Sequence, residues 1–282
     1  MTVTIIGLGL IGGSIALDLK ARRFAERIIG VDKNPRHRDT ALERGLVDEI
    51  MKLHSGIQEA DLIILAVPVD GIKELLPLIL DYVTHQTVTD MGSSKVEIID
   101  SIKDHPKRGN FVPSHPMAGT EFSGPEAAIN GLFAKKVGII CDMADSNPKA
   151  LETVTNFYMA LNMRLVFMTA REHDSHAAYV SHISHLTSFA LALTVLDKEK
   201  NEKNIFNLAS GGFDSTVRLA ASSAAMWVPV FSQNKNNVIE VIETYIQKMT
   251  DFKDSIASGD DQKVEELIQE ANIIQKTLTQ EA

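Results

Sequence analysis

The chain opens Met1-Thr-Val-Thr-Ile-Ile-Gly-Leu-Gly-Leu-Ile-Gly12, an apolar run leading straight into Gly7, Gly9 and Gly12 in GxGxxG spacing. In a strand–turn–helix that binds a dinucleotide, each glycine has its own task. Gly7 permits the tight turn out of the strand, Gly9 lets the backbone approach a pyrophosphate, and Gly12 lets the next helix pack close, its amino end toward the phosphates. A second apolar run, Ile28-Ile-Gly-Val31, ends in Asp32. That is about 20 residues past the fingerprint, where an acid accepts the ribose hydroxyls of the cofactor. Leu10 and Ile11 inside the turn, and Val67 and Pro68 after a later apolar run, complete the expected cofactor-binding set. The alternative is a glycine-rich turn with no ligand.

Asp32 also favours NAD over NADP, because a carboxylate bonds a 2′-hydroxyl and repels a 2′-phosphate. Arg36, His37 and Arg38 follow closely and either soften that preference or form a solvated first turn of the next helix. Composition bounds the rest. The chain has 282 residues, 44% of them hydrophobic, a length near which chains divide into two domains. No apolar stretch reads as approaching the ~20 residues of a membrane span, and the first residues do not resemble a cleavable leader, so a cytoplasmic enzyme is expected. Cys141 alone excludes an internal disulfide and reads as a small buried residue. A net charge of −9 argues against nucleic acid as partner.

Apolar runs alternate with helical patterns to about residue 168, which predicts an α/β fold: an N-terminal Rossmann-type, doubly wound, mostly parallel sheet. Further strands are expected at Leu62–Val67, Thr87–Asp90, Phe111–Pro113 and Val137–Cys141. From Thr169 the pattern is helical, beginning with a capping box, Thr169-Ala-Arg-Glu172. The expected domains are therefore 1–168, binding the cofactor, and 169–282, all helical. Val238, Val241, Ile242, Tyr245, Met249, Phe252 and Ile256 recur at helical spacing until Gly259, and Val264, Leu267, Ile268, Ala271, Ile274 and Leu278 repeat the pattern. These stripes read as core, with some positions available for a dimer seam.

Catalytic groups in such sheets lie beyond the carboxyl ends of the strands. Asp90-Met-Gly-Ser-Ser-Lys95 breaks a strand at Gly92, and Ser114-His-Pro-Met-Ala-Gly-Thr-Glu121 places His115 at an expected strand end. His173-Asp-Ser-His176 and Ser181-His-Ile-Ser-His185 follow the capping box. At 100° per residue, Ser181, His182 and His185 share one side of a helix, while His173 and His176 fall largely on the other. A four-histidine metal cluster is thus not expected, and no metal is assigned. Buried hydrogen-bonding roles for His182 and His185 stay open beside functional ones.

Taken together, GxGxxG with Asp32, Gly92-Ser93 with Lys95, His115-Pro-Met-Ala-Gly-Thr-Glu121, Ser181-His-Ile-Ser-His185, and Gly212-Phe213 with Arg218 and Trp227 resemble the prephenate dehydrogenase family, in order and approximate spacing along nearly the whole chain. The resemblance implies oxidative decarboxylation of prephenate to 4-hydroxyphenylpyruvate and carbon dioxide, with NAD as acceptor, on the route to tyrosine. It implies that His115 is the catalytic histidine, accepting a hydrogen bond from the ring hydroxyl, and that Ser93 orients it and shares that contact. Arg218 would hold a substrate carboxylate, Thr120, Ser181, His182 and His185 would line the pocket, and Glu121 would gate it by pairing with the arginine. The helical domain would form a homodimer, with residues near Gly211 and Trp227 entering the partner's site. Ser215 stands where the family commonly has an acid, with Asp214 one place earlier, which bears on an ionic gate. No regulatory or mutase domain is expected after the last helix. Arogenate as substrate stays open, an acidic partner for its ammonium favouring it and Lys135 and Lys136 near the site favouring prephenate. A non-catalytic NAD sensor is the reading from a different class.

Overall fold

The computed structural model describes residues 1–200, 202 and 204–280. Nine strands are described: β1 Thr2–Ile6, β2 Arg27–Val31, β3 Glu49–Ile50, β4 Leu62–Leu65, β5 Thr87–Asp90, β6 Phe111–Val112, β7 Ser114–Pro116, β8 Val137–Cys141 and β9 Arg164–Met168. The first six form a parallel sheet in the order β3-β2-β1-β4-β5-β6. Order reverses between β1 and β4, so the crevice beyond their carboxyl ends is the binding position of a doubly wound sheet. Successive strand residues serve opposite faces. Ile5, Ile28 and Ile64 join the core that includes Ile15 and Leu19, whereas Ile6, Val31 and Leu65 join the core of Ile72, Leu76 and Ile79. Burial on both faces explains why these strands read as unbroken Val/Ile/Leu runs.

A second sheet departs from expectation. β7 runs antiparallel to β8, which is parallel to β9. Pro113 lacks the amide a ladder needs, so the strand expected at Phe111–Pro113 stops at Val112 and a new one begins at Ser114. His115 is consequently mid-strand, opposite Ile139, and not at a strand end. β3 and β9 escaped the sequence reading because one is two residues long and the other has no buried residue.

The chain divides into two compact units, Met1–Lys235 and Asn236–Ala282. Strands give way to helices where expected, β9 ending at Met168 and Thr169 capping the next helix. The Thr169 hydroxyl accepts from Glu172 N at 3.2 Å, while the Glu172 carboxylate accepts from Thr169 N at 2.8 Å. The helical stretch Ala170–Glu199 is long and apolar enough, by length and composition alone, to cross a membrane, contrary to the sequence reading. Its serines and histidines hid that average. In the second unit, helices Lys235–Ser258 and Asp261–Gln280 are separated by Gly259 at φ +70°, the left-handed stop the pattern predicted. Val238 and Val241 are buried, but Tyr245, Met249, Ile256, Ile268, Ile274 and Leu278 are exposed, so their reading as core is corrected.

Candidate active site

At the end of β1, Gly7 adopts φ +97°, and a Cβ there would lie 2.5 Å from the Ala66 carbonyl and 2.8 Å from Val67. A Cβ on Gly12 would lie 2.0 Å from the Gly7 carbonyl, whereas one on Gly9 would meet nothing within 4 Å. Gly7 and Gly12 therefore shape the turn, and Gly9 leaves its outer surface bare. Helix Leu10–Ala21 begins at Gly9 without a side-chain cap, and helix Val69–Tyr82 begins likewise at Pro68. Uncapped amides at the crevice suit a bound pyrophosphate. Asp32 is half-buried, its carboxylate accepting from Leu8 N and Asn34 N at 2.8 Å each, with His37 Nδ1 at 3.4 Å. Its two oxygens thus lock the fingerprint loop to the end of β2 and keep lone pairs for ribose hydroxyls. Arg38 bonds the Asp32 carbonyl and Arg36 approaches Glu126, so neither guanidinium bonds the Asp32 carboxylate.

Beyond β5, the Asp90 carboxylate is fully buried and accepts from Gly92 N, Ser114 N and the Lys95 ammonium. Lys95, equally buried, also donates to the Ser114 carbonyl at 2.8 Å. Ser114 Oγ donates to the Asp90 carbonyl at 2.8 Å, while Tyr158 OH donates to Ser114 Oγ at 2.7 Å. A buried ion pair holds only when its remaining polar atoms are satisfied. Here those bonds fasten the Gly92–Lys95 turn to the start of β7, and so fix the backbone of His115.

The His115 ring is buried, with Nδ1 at 2.9 Å from Nε2 of His173. The Nδ1 of His173 lies 2.8 Å from the Asp174 carboxylate. That carboxylate also accepts from Lys95 N at 2.7 Å and Val96 N at 2.9 Å. Burial, reinforced by the neighbouring His173, Lys95 and His182, holds His115 well below the usual 6.5. His173 is lowered too, burial outweighing the pull of Asp174. Both rings are therefore neutral near pH 7.

The helix carrying the other histidines is not uniform. Between Ala170–Ala177 and Ile183–Glu199, residues Ala178–His182 form a π-turn. Bonding from i to i+5 accommodates one extra residue, which sets everything beyond it back by about 100°. The expected opposition of His173 and His182 becomes a separation of about 80°. Both are buried, and Asn234 Nδ2 bridges the Asp174 carbonyl, to which it donates at 2.6 Å, and His182 Nδ1 at 3.2 Å. Burial pushes His182 down to about 4, and His185 likewise to about 4. His185 lies against Trp227 with ring centroids 3.8 Å apart, and His182 meets the same indole edge-on at 5.8 Å. His182 Nε2, His185 Nδ1 and Trp227 Nε1 are buried and make no well-formed hydrogen bond among the described residues, the main chain of Ser93 and of Leu219 lying close to the His182 and His185 rings respectively. Polar atoms gathered in this way suit a polar ligand or water.

Arg218 donates to Glu121 at 2.6 Å. The Glu121 carboxyl lies below its ordinary value, held there first by its own main-chain amide and also by Arg218. Ser215 Oγ instead bonds the Gly212 carbonyl, and Asp214 forms no ion pair among the described residues. The expected pair is thus made without a third acid. Thr120 and Ser181 are half-buried, and Gly211 opens helix Gly211–Val217 with open space above its Cα.

A family model described as the nucleotide-binding domain of prephenate dehydrogenase matches residues 15–167, and one described as its dimerization domain matches residues 169–270. The prephenate dehydrogenase of Bacillus subtilis is 32% identical over 92% of this chain and 71% of its own. The crystal structure of prephenate dehydrogenase from Aquifex aeolicus in complex with hydroxyphenyl propionate and NAD+ superposes at a TM-score of 0.90, at 29% identity, covering 99% of this chain and 98% of that one. The Synechocystis arogenate dehydrogenase structure gives 0.77 at 26%, covering 99% and 100%.

The chain belongs to the prephenate dehydrogenase family.

Within this prephenate dehydrogenase fold, several expectations change. The Ser93 hydroxyl makes no hydrogen bond among the described residues, and His115 Nδ1 is engaged by His173. Trp227 is buried in its own chain's core with Val230 and Phe231. Lys135 and Lys136 are exposed at the start of β8 and bond no site side chain, which removes the support drawn from them. The sequence singles out His173-Asp174 but gives the pair no role and sets His173 on the side of the helix away from His182, whereas Asn234 carries no sequence signal at all.

Proposed function

We propose that the chain catalyses oxidative decarboxylation of prephenate to 4-hydroxyphenylpyruvate and carbon dioxide, serving tyrosine formation, with NAD bound at Gly7, Gly9, Leu10, Ile11, Gly12, Asp32, Val67 and Pro68. NAD, when bound, supplies a two-electron acceptor. The observation that carries the reading is His115, buried and neutral on β7, with one ring nitrogen already held by the protein. A neutral imidazole can accept a hydrogen bond from the ring hydroxyl as positive character grows at the carbon losing hydride. Loss of that hydride and of the opposite ring carboxylate as carbon dioxide leaves an aromatic ring, with no net proton transferred. Arg218 binds a substrate carboxylate after leaving Glu121, its planar fork matching two oxygens. Ser93, Thr120, Ser181, His182, His185 and Gly211 are assigned to the pocket, with Trp227 backing the histidines.

Relatives named prephenate dehydrogenase support prephenate, while Glu121, freed when Arg218 turns to the substrate, is the carboxylate that would meet the ammonium of arogenate. The reading also assigns residues 1–168 to cofactor binding and residues 169–282 to substrate binding and dimerisation, with a second copy covering the exposed apolar stripe. Absorbance of reduced nicotinamide during incubation with NAD and prephenate, with arogenate and NADP in parallel, is the test. Rapid NADH formation from prephenate is expected; turnover of arogenate alone would replace the substrate, and NAD binding without turnover of either would revive the sensor.

A further inference from the structure

We propose that His173 and Asp174 are positioning residues that fix the tautomer of His115, so that its Nε2 is a bare acceptor and its Nδ1 carries the proton. The argument starts at the far end of the chain of contacts. Three N–H groups converge on the Asp174 carboxylate, from Lys95, Val96 and the His173 ring. A carboxylate that receives main-chain amides on both oxygens acts as acceptor, so His173 Nδ1 donates. In a neutral imidazole one nitrogen donates and the other accepts, which leaves His173 Nε2 as acceptor. The nitrogen 2.9 Å away is His115 Nδ1. It must donate, and the lone pair of His115 is then on Nε2. The reverse arrangement would need a doubly protonated His173, whose charge burial disfavours.

The order of protons matters because the opposite tautomer presents an N–H where an acceptor is required. Asp174 binds the start of helix Val96–Asp100 with the same carboxylate, so the tautomer is set by a group fixed to the Gly92–Lys95 turn. The kinetic consequence rests on the reading of His115 as the hydroxyl's acceptor. The tautomer itself does not.

Nitrogen-15 NMR of histidine-labelled protein without substrate reads the tautomer directly. His115 is expected with a protonated Nδ1 and an unprotonated Nε2, and His173→Phe, which keeps bulk but removes the acceptor, is expected to lose that preference. With NAD and prephenate, His173→Phe should lower kcat about 100-fold, the range for a lost acid–base contribution, with KM changed less than about threefold. His173→Gln, whose amide oxygen can accept from Nδ1, should recover part of kcat and the wild-type tautomer. A wild-type His115 protonated on Nε2, or a folded His173→Phe with unchanged tautomer and turnover, overturns the proposal. If the tautomer is as stated but prephenate is not oxidised, the substrate reading fails and the positioning role stands.

Discussion

Replacing His115 by Asn removes the imidazole yet keeps a polar side chain of moderate size in a site that Asp90, Lys95 and Ser114 fasten from beneath. Turnover is expected to fall about 10²- to 10⁴-fold while KM changes little, because the lost contact strengthens only as charge develops. Steady-state kinetics with prephenate checks the split. Arg218 should behave in the opposite sense. Charge-assisted bonds to a carboxylate contribute about 1.5–3 kcal/mol each, so Arg218→Ala should raise KM at least about tenfold with a smaller fall in kcat. The acid limb of the wild-type kcat profile should lie below pH 6.5, since burial lowers His115 from that value. An acid limb centred at or above 6.5 would contradict the neutral, buried base.

At the scale of elements, the turn between β5 and helix Val96–Asp100 depends on one fully buried ion pair. Lys95→Met leaves the buried Asp90 carboxylate without its counter-charge. Breaking one partner of such a pair costs about 3–5 kcal/mol, and denaturant unfolding should show a loss of that order. Deleting Val180 from the π-turn tests the helix. With the extra residue gone, an uninterrupted α-helix keeps His182 eight residues and about 80° from His173, and the expected result is a folded protein that keeps its tryptophan fluorescence and most of its turnover. The same element marks where sequence reading stopped. The fingerprint turn, Asp32, strands β1, β2, β4, β5 and β8, the capping box and Gly259 were legible because each depends on local backbone chemistry or on period. His115, Ser181, His182, His185, Glu121 and Arg218 came from order and spacing along the chain. The His173–Asp174 contribution was not legible, since a constant 100° per residue cannot register an extra residue in one turn. Likewise Pro113 moved His115 onto a different sheet, a tertiary outcome that a two-residue apolar run does not announce.

Across the whole molecule, buried neutral histidines make stability depend on pH. His182 is pushed down to about 4 from 6.5 by burial. Between those values the unfolded chain binds a proton that the folded chain refuses. The contribution is therefore complete above about pH 6.5 and is lost as pH falls toward 4. For His182 it is on the order of 3 kcal/mol, at 1.36 kcal/mol per unit; His173 and His185 act with the same sign. Thermal unfolding should show Tm falling through that window, with a shallower fall in His182→Gln. Exposed apolar side chains on the helical part, among them Leu193 and Leu196 in one unit and Ile246, Met249 and Ile274 in the other, set a further expectation. If a second copy covers them, Tm should rise with protein concentration by mass action, and a concentration-independent Tm would speak against a dimer of ordinary strength.

The extra residue at Ala178–His182 has a bearing on ancestry as well. Any sequence whose counterpart of this segment is one residue shorter would, as an unbroken α-helix, still carry its equivalents of His173 and His182 about 80° apart, because eight steps of 100° leave that angle. A counterpart of equal length without the π-turn would instead set them on opposite flanks and would need another group to orient its histidine. A one-position gap there would therefore conserve the arrangement of protons, and a gapless but regular helix would mark a lineage that arranges them otherwise.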